Sequence, residues 1–215
     1  MKFVLISDTH TQHDDRRLVL PKGDAIIHAG DISYRGGRIE VENFLKWYDA
    51  LPYKYKILIA GNHDFFFETY SKETVDQLLS QYPTVIYLND SGITIEDIKI
   101  WGSPVQPWFH SWAFNRRGEE ICKHWDLIPL DTNILITHGP VHGYLDLTLN
   151  GDVTGCPYLL KKIPDLKELK LHVCGHIHEA YGEVEFADGV KFVNASVLDA
   201  RYVMKNKPVV VEIKK

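Results

Sequence analysis

Residues 56–64 read Lys-Ile-Leu-Ile-Ala-Gly-Asn-His-Asp, so an apolar run typical of a buried strand leads directly into a polar turn. The same arrangement occurs four more times along the chain. These further pairs are Lys2–Ser7 with Asp8-Thr9-His10, Asp24–Ala29 with Gly30-Asp31, Asn133–Thr137 with His138-Gly139, and Leu171–Cys174 with Gly175-His176-Ile177-His178. Because loops at the carboxyl ends of strands carry polar groups on a rigid support, the five turns predict one convergent site.

Helical patterns alternate with these strands. Residues 38–51 place apolar side chains at i, i+3, i+4 and i+7, which predicts a helix, and residues 75–82 repeat that spacing. The other predicted elements are helices at about 117–127 and 157–163, strands Ile93–Glu96 and Ile98–Trp101 paired around Asp97, a hairpin of Gly182–Phe186 and Val190–Asn194 around Asp188-Gly189, and a last strand Pro208–Ile213. This order predicts an α/β fold of two mixed β-sheets packed face to face with helices outside, in one domain over 1–215.

The composition excludes several classes of protein. The chain has 215 residues, of which 45% are hydrophobic and 25% are charged, as in ordinary globular proteins. Its net charge is −5, so the chain lacks the excess of basic residues that is typical of a general nucleic-acid binder. The three cysteines, Cys122, Cys156 and Cys174, form no C-x-x-C pair, which indicates a reducing compartment. No stretch approaches the ~20 apolar residues of a membrane span, so we expect a cytoplasmic protein that does not enter membranes.

The residue types in the five turns favour a site for divalent metal ions. Imidazole nitrogens with carboxylate and amide oxygens, and no thiolate, suit ions such as Mn, Fe or Zn. The i, i+2 spacing of Asp8 with His10, and of His176 with His178, lets an extended loop direct both side chains to nearby ions. Asp31 is the candidate for a carboxylate that bridges two ions, which at about 3.5–4 Å apart would activate a water and hold a phosphoryl group.

At these residues the sequence resembles the calcineurin-like metallophosphoesterases. Further segments resemble the MPPED branch of that family, which is similar to the class III cyclic-nucleotide phosphodiesterases. These segments are His28–Asp31, Trp101–Pro104, Trp112–Arg116, Thr137–Pro140, Gly155-Cys156, Gly175–Glu179 and Phe192–Ser196. The resemblance implies a metal-dependent phosphoesterase with a four-layer α-β-β-α fold.

The resemblance also implies a role for each residue of the turns. One ion would be held by Asp8, His10, Asp31 and His178, and the other by Asp31, Asn62, His138 and His176. His63 would donate a proton to the leaving oxygen or stabilise the transition state, and Asp64 would orient His63 through a hydrogen bond. Some relatives replace the second histidine of the last block. Because His178 is present here, we expect a complete two-metal site.

The expected activity is hydrolysis of small phosphodiesters, with cyclic nucleotides first, by attack of a metal-bridging hydroxide. We expect two divalent ions, Mn first, with Fe, Zn, Mg, Co or Ni as alternatives. Arg116 and His142 are candidate substrate contacts. Alternative functions on the same centre stay open, namely a phosphomonoesterase, a protein phosphatase or a nuclease. A scaffold without catalysis is a further alternative. The turn Gly30-Asp31-Ile32-Ser33 and the residue Asp64 depart from the protein Ser/Thr phosphatase pattern, which lowers that alternative.

Overall fold

The computed structural model describes residues 1–185 and 189–214, and two mixed β-sheets form its centre. The first sheet consists, in spatial order, of β13 (Val209–Glu212), β1 (Lys2–Ile6), β2 (Ala25–Ala29), β3 (Tyr55–Ile59) and β4 (Val85–Tyr87). Strands β1 to β4 run parallel, and β13 pairs antiparallel with β1 at the edge. The carboxyl ends of β1, β2 and β3 therefore lie at the same edge of this sheet.

The second sheet has the same mixed character. It consists, in spatial order, of β11 (Gly182–Glu185), β12 (Lys191–Asn194), β10 (Leu171–Cys174), β9 (Ile134–Thr137), β6 (Ile98–Ser103) and β5 (Ser91–Ile95). The four central strands are parallel, and both edge strands are antiparallel to their neighbours. A separate ribbon pairs β7 (Gln106–Pro107) with β8 (Asn115–Arg116) and closes the loop between them.

Side chains of β1 show why its sequence is apolar throughout. Phe3 and Leu5 pack in the layer between the two sheets, whereas Val4 and Ile6 pack in the layer that contains the helices of the first sheet. Successive side chains of a strand point to opposite faces, and here both faces are covered. The strand is therefore a continuous apolar run, as is typical of buried parallel strands.

Helices cover the outer face of each sheet. The first sheet is covered by α1 (Arg38–Asp49), α2 (Phe66–Thr69) and α3 (Lys72–Leu79), and the second by α4 (Cys122–Trp125) and α5 (Pro157–Lys162). Helix α1 buries the predicted i, i+3, i+4, i+7 face, and the Tyr48 hydroxyl of that face donates to the Ile57 carbonyl at 2.8 Å. The four layers confirm the predicted α-β-β-α sandwich.

Several predicted elements differ in extent. The helix predicted at 117–127 is a 3₁₀ turn over Gly118–Ile121 followed by the short α4. The predicted hairpin around Asp97 is confirmed by antiparallel pairing of β5 with β6. Strands β11 and β12 also pair antiparallel, but Asp188, which was predicted to form their turn, lies outside the described residues. Within the described ranges, no helix combines the length and apolar character needed to cross a bilayer.

Candidate metal centre

The ends of five strands bring the predicted ligands into one cluster between the two sheets. Asp31 lies at its centre: its Oδ2 atom is 3.3 Å from His138 Nε2 and 3.6 Å from His10 Nε2. These two histidines follow strands of different sheets, so the Asp31 carboxylate joins the two halves of the cluster. This is the position expected of a carboxylate that bridges two ions.

The remaining predicted ligands lie on either side of Asp31. His178 Nε2 is 3.4 Å from Asp8 Oδ1, and Asn62 Oδ1 is 3.0 Å from His138 Nε2. Within each of three groups, the potential ligand atoms lie within 4.8 Å of one another. The groups are Asp8 with His10 and His178, His10 with Asp31 and His63, and Asp31 with His138 and His176. The structure therefore brings the seven predicted ligands and His63 together.

Backbone carbonyls fix the orientation of three histidines in the cluster. Each faces a carbonyl oxygen with its Nδ1 atom: His10 faces Ser33 at 3.0 Å, His138 faces Ala29 at 2.9 Å, and His178 faces Asp199 at 3.1 Å. A carbonyl only accepts hydrogen bonds, so Nδ1 carries a hydrogen and Nε2 is the nitrogen that remains to bind a metal. This second contact sets both the tautomer and the direction of the nitrogen that can bind a metal.

The backbone at the ligands is strained. Asp8, His10, Asp31 and His176 have φ values of 55°, 39°, 57° and 68°, in the left-handed region that residues with a Cβ rarely adopt. Such conformations cost about 1–3 kcal/mol each and concentrate at functional sites. Gly61 is needed for a different reason, since a Cβ at that position would collide with the Asp31 carboxylate. Packing around the strand ends thus holds the ligands in positions that the free chain would disfavour.

The donor set fits divalent cations. His10 Nε2 is buried and has no hydrogen-bond partner among the described residues, as expected of an atom that binds a metal. Burial alone would raise the pKa of Asp31, but His138 and His10 outweigh it and hold that pKa well below its usual range. Burial lowers the pKa of His176 to about 3, so this imidazole is neutral. Asp31 outweighs burial and raises the pKa of His138 to about 9, so His138 would release a proton when a metal binds. An ionised carboxylate among imidazole nitrogens suits Mn, Fe or Zn.

The prediction that Asp64 orients His63 through a hydrogen bond is wrong. His63 Nδ1 instead donates to the Tyr34 carbonyl at 2.8 Å. The Asp64 carboxylate accepts from Gly61 N at 2.8 Å, from Ser33 N at 2.9 Å, from Ser33 Oγ at 2.6 Å and from Ile32 N at 3.2 Å. Asp64 is fully buried, and burial raises the pKa of its carboxyl to about 6, although these four donors favour the ionised form. It therefore ties the loop after β2 to the loop after β3, rather than orienting His63.

The two candidate substrate contacts, Arg116 and His142, have other partners. Arg116 Nη1 is 2.9 Å from Glu68 Oε1, and Glu68 Oε2 accepts from the Phe114 amide at 2.7 Å. The Arg116 guanidinium is thus engaged in holding the loop between β7 and β8. The His142 amide donates to the Cys156 carbonyl at 3.3 Å. Neither residue lines the cavity above the cluster.

A cavity of about 550 Å³ opens above the cluster. We call its lower surface the floor, which is formed by Asp31, Asn62, His63, His176 and His178, and its aromatic sides the wall, which is formed by Trp108, Phe109, Trp112 and Tyr202. The Phe109 ring lies 5.0 Å from the His176 ring, centroid to centroid. The sequence pattern alone does not assign Trp108, Phe109 and Trp112 to the core or to the site, and no motif lies near Tyr202.

The fold and this cluster of histidine, aspartate and asparagine side chains define the class of metal-dependent phosphoesterases. The model of the calcineurin-like phosphoesterase family matches residues 1–180. The chain therefore belongs to that family, and it is a metal-dependent phosphoesterase. The predicted family is confirmed.

The relatives support the predicted branch. The chain is 41% identical over 234 residues to human Metallophosphoesterase domain-containing protein 1, covering 99% of this chain and 71% of that protein. It is 36% identical over 240 residues to a UPF0046 protein of Caenorhabditis elegans, covering 99% of this chain and 60% of that protein. The structure of TT1561 of Thermus thermophilus superimposes with a TM-score of 0.62 at 13% identity, over 90% of this chain and 88% of that one, which shows the fold. The chain thus lies in the MPPED branch.

Proposed function

We propose that this phosphoesterase hydrolyses small phosphodiesters, with cyclic nucleotides as the first candidates. The observation that carries the proposal is the position of the cluster at the floor of a cavity of about 550 Å³ with an aromatic wall. A cavity of this size suits a small molecule, and aromatic side chains suit a planar group such as a nucleobase. The resemblance to the class III cyclic-nucleotide phosphodiesterases supports the same substrate.

The predicted ligands fit two divalent ions. In this proposal Asp8, His10, Asp31 and His178 hold one ion, and Asp31, Asn62, His138 and His176 hold the other, with Mn as the first metal to test. The ions, when bound, supply Lewis-acid activation of the phosphoryl group and of the attacking water. The protein supplies the fixed directions of the imidazole nitrogens.

His63 is the proposed general acid. Its Nδ1–H donates to the Tyr34 carbonyl, which leaves Nε2 for the substrate. The attacking water gives up one proton to solvent and its oxygen bonds to phosphorus; as the ester P–O bond breaks, the His63 Nε2–H proton passes to the departing oxygen and the imidazole is left neutral. Asp64 supports this step only indirectly, because it holds the loop after β3 in place.

A panel of substrates tests the proposed activity. Metal-free protein reloaded with Mn, Fe, Zn or Mg should hydrolyse bis-p-nitrophenyl phosphate and cyclic nucleotides faster than p-nitrophenyl phosphate, phosphopeptides or single-stranded DNA. Inactivity of every metal form on both diesters would refute the proposal. A higher rate on the monoester, the phosphopeptide or DNA would instead favour one of the alternative enzymes.

A matched pair of variants tests the metal assignment. Asp31→Asn should remove bound metal, as measured by elemental analysis, because a neutral amide replaces the central carboxylate. Asp126→Asn is the control, since Asp126 is exposed at the end of α4 on the outer face of the second sheet. Equal metal content in the two variants would exclude Asp31 as a ligand.

A further inference from the structure

The His63 ring is held by contacts on several sides. Its Nδ1 atom lies 2.8 Å from the Tyr34 carbonyl oxygen. The indole of Trp112 lies across its face, with ring centroids 4.2 Å apart and planes inclined by 32°. His10 meets it edge to face at 4.6 Å. The His63 side chain is consequently almost fully buried, although it lines the cavity.

The hydrogen bond and the indole restrain different motions. A single hydrogen bond at Nδ1 fixes one atom of the imidazole, but the ring plane can still swing about that contact. A flat aromatic ring packed on the face opposes the swing, since tilting the imidazole would lose contact or create a clash. The Trp112 indole is therefore suited to set the direction of His63 Nε2.

Trp112 is itself attached to the floor of the cavity. The amide of the next residue, Ala113, donates to the Asn62 carbonyl at 3.2 Å, and Asn62 precedes His63 in the chain. The amide of Phe114 is held by Glu68 at 2.7 Å. These hydrogen bonds fix the backbone that carries the indole against the backbone that carries the imidazole.

Trp108 provides a comparison within the same loop. It also lines the cavity, but its ring is covered by the Arg117 guanidinium at 3.5 Å from the ring centroid. Trp108 and Trp112 therefore share residue type, loop and cavity, and they differ in the group that packs on the ring. An effect that depends on the contact with His63 should appear at Trp112 and not at Trp108.

We propose that Trp112 is a positioning residue for His63, because its indole holds the imidazole in the orientation from which Nε2 delivers a proton to the leaving oxygen. This inference rests on the proposed function, in which His63 is the general acid. It gives the aromatic wall a part in catalysis as well as in substrate binding. Without the indole, proton transfer from His63 to the leaving oxygen becomes slower, while the cluster of metal ligands stays intact.

The test uses methyl aryl phosphodiesters whose leaving groups range from p-nitrophenol to phenol. A good leaving group departs without a proton, whereas a poor one needs it, so loss of the general acid steepens the dependence of log kcat on leaving-group pKa. His63→Ala should steepen that slope. Trp112→Leu and Trp112→Met should steepen it in the same direction, with a loss on the order of 10-fold for the phenyl ester and little loss for the p-nitrophenyl ester. Trp112→Phe, which keeps a flat ring, should restore the wild-type slope.

The controls separate this inference from the function on which it rests. Trp108→Leu should change all the esters equally, and Trp112→Leu in the His63→Ala background should not steepen the slope further. Metal content should remain that of the wild type in each single variant at Trp112. If His63→Ala leaves the slope unchanged, or if no ester is hydrolysed, the proposed function fails and the inference with it. If His63→Ala steepens the slope and neither Trp112→Leu nor Trp112→Met does, only the role of Trp112 is refuted.

Discussion

The floor and the wall of the cavity are built in different ways. Floor residues follow central strands, and all except the half-buried His176 are buried, with Asp31 only 2% exposed. Wall residues come from longer loops and are more exposed, with Trp108 at 42% and Tyr202 at 41%. The floor is thus fixed by the sheets and by backbone contacts, whereas the wall depends on loop packing. We infer that metal binding and substrate selection are separable, and the predictions below test that separation.

The largest effect is expected at Asp8 on the floor. Its carboxylate faces His178 Nε2 and also accepts from the His176 amide at 3.1 Å. Asp8→Ala should lower both metal content and activity by more than about 100-fold. Substitution of a residue that only supports a metal ligand already lowers metal affinity or activity about 10–100-fold, and removal of a ligand itself should cost more. Elemental analysis and turnover at saturating metal check this. Retention of metal with normal turnover would show that Asp8 is not part of the centre.

A smaller effect is expected at Asp64, which lies behind the floor. Asp64→Asn replaces one acceptor oxygen by an NH₂ group that faces backbone donors. Each donor left unsatisfied costs about 1–3 kcal/mol, so we expect the free energy of unfolding to fall by about 2–4 kcal/mol. Urea unfolding of the metal-free protein measures this loss, with Asp126→Asn as the exposed control. A loss of stability no larger than that of the control would contradict the assigned role of Asp64.

A buried histidine of β10, His172, predicts a dependence of stability on pH. His172 is buried, its Nε2 lies 2.8 Å from Thr137 Oγ1, and burial lowers its pKa to about 3. The unfolded chain, with a histidine pKa of about 6.5, binds a proton that the folded chain does not. Stability should therefore fall as the pH drops from about 6.5 towards 3, by up to about 1.4 kcal/mol per pH unit for this residue.

His172→Gln isolates that contribution. The glutamine amide can still donate to Thr137, but it does not titrate. The slope of unfolding free energy against pH between about 4 and 6 should therefore decrease by the contribution of one proton bound in the unfolded chain. Urea unfolding of metal-free wild type and variant at several pH values measures the two slopes. Parallel slopes would mean that His172 is not neutral in the folded protein.

Much of the fold and most of the floor could be predicted because their signals are local. Apolar runs ending in Asp, Asn or His mark both the strands and the residues that follow them, and α1 carries its buried face in its own spacing. Parallel strands align their carboxyl ends, so turns distant in sequence converge. The sequence therefore indicates Asp31 as a candidate for the central carboxylate.

Other features depend on contacts that no local pattern contains. The partner of His63 is the Tyr34 carbonyl, a backbone atom from another loop, and Asp64 is buried against Ser33 from that loop. Tyr202 lies 4.9 Å from the His10 ring because the turn that carries it packs against the loop after β1. Arg116 was a candidate substrate contact, yet its partner is Glu68, 48 positions away.

The smallest effect is expected at Trp108, at the rim of the wall. Trp108→Leu should raise KM for bis-p-nitrophenyl phosphate by about 2- to 10-fold, as expected for loss of one aromatic contact worth about 0.5–1.5 kcal/mol. The metal content should not change, because the Trp108 ring packs against Arg117 rather than against a ligand. Methyl p-nitrophenyl phosphate, which has one ring fewer, should show a smaller rise in KM. If Trp108→Leu instead lowered metal content as Asp8→Ala does, the wall would be part of what holds the metals, and the two regions would form a single unit.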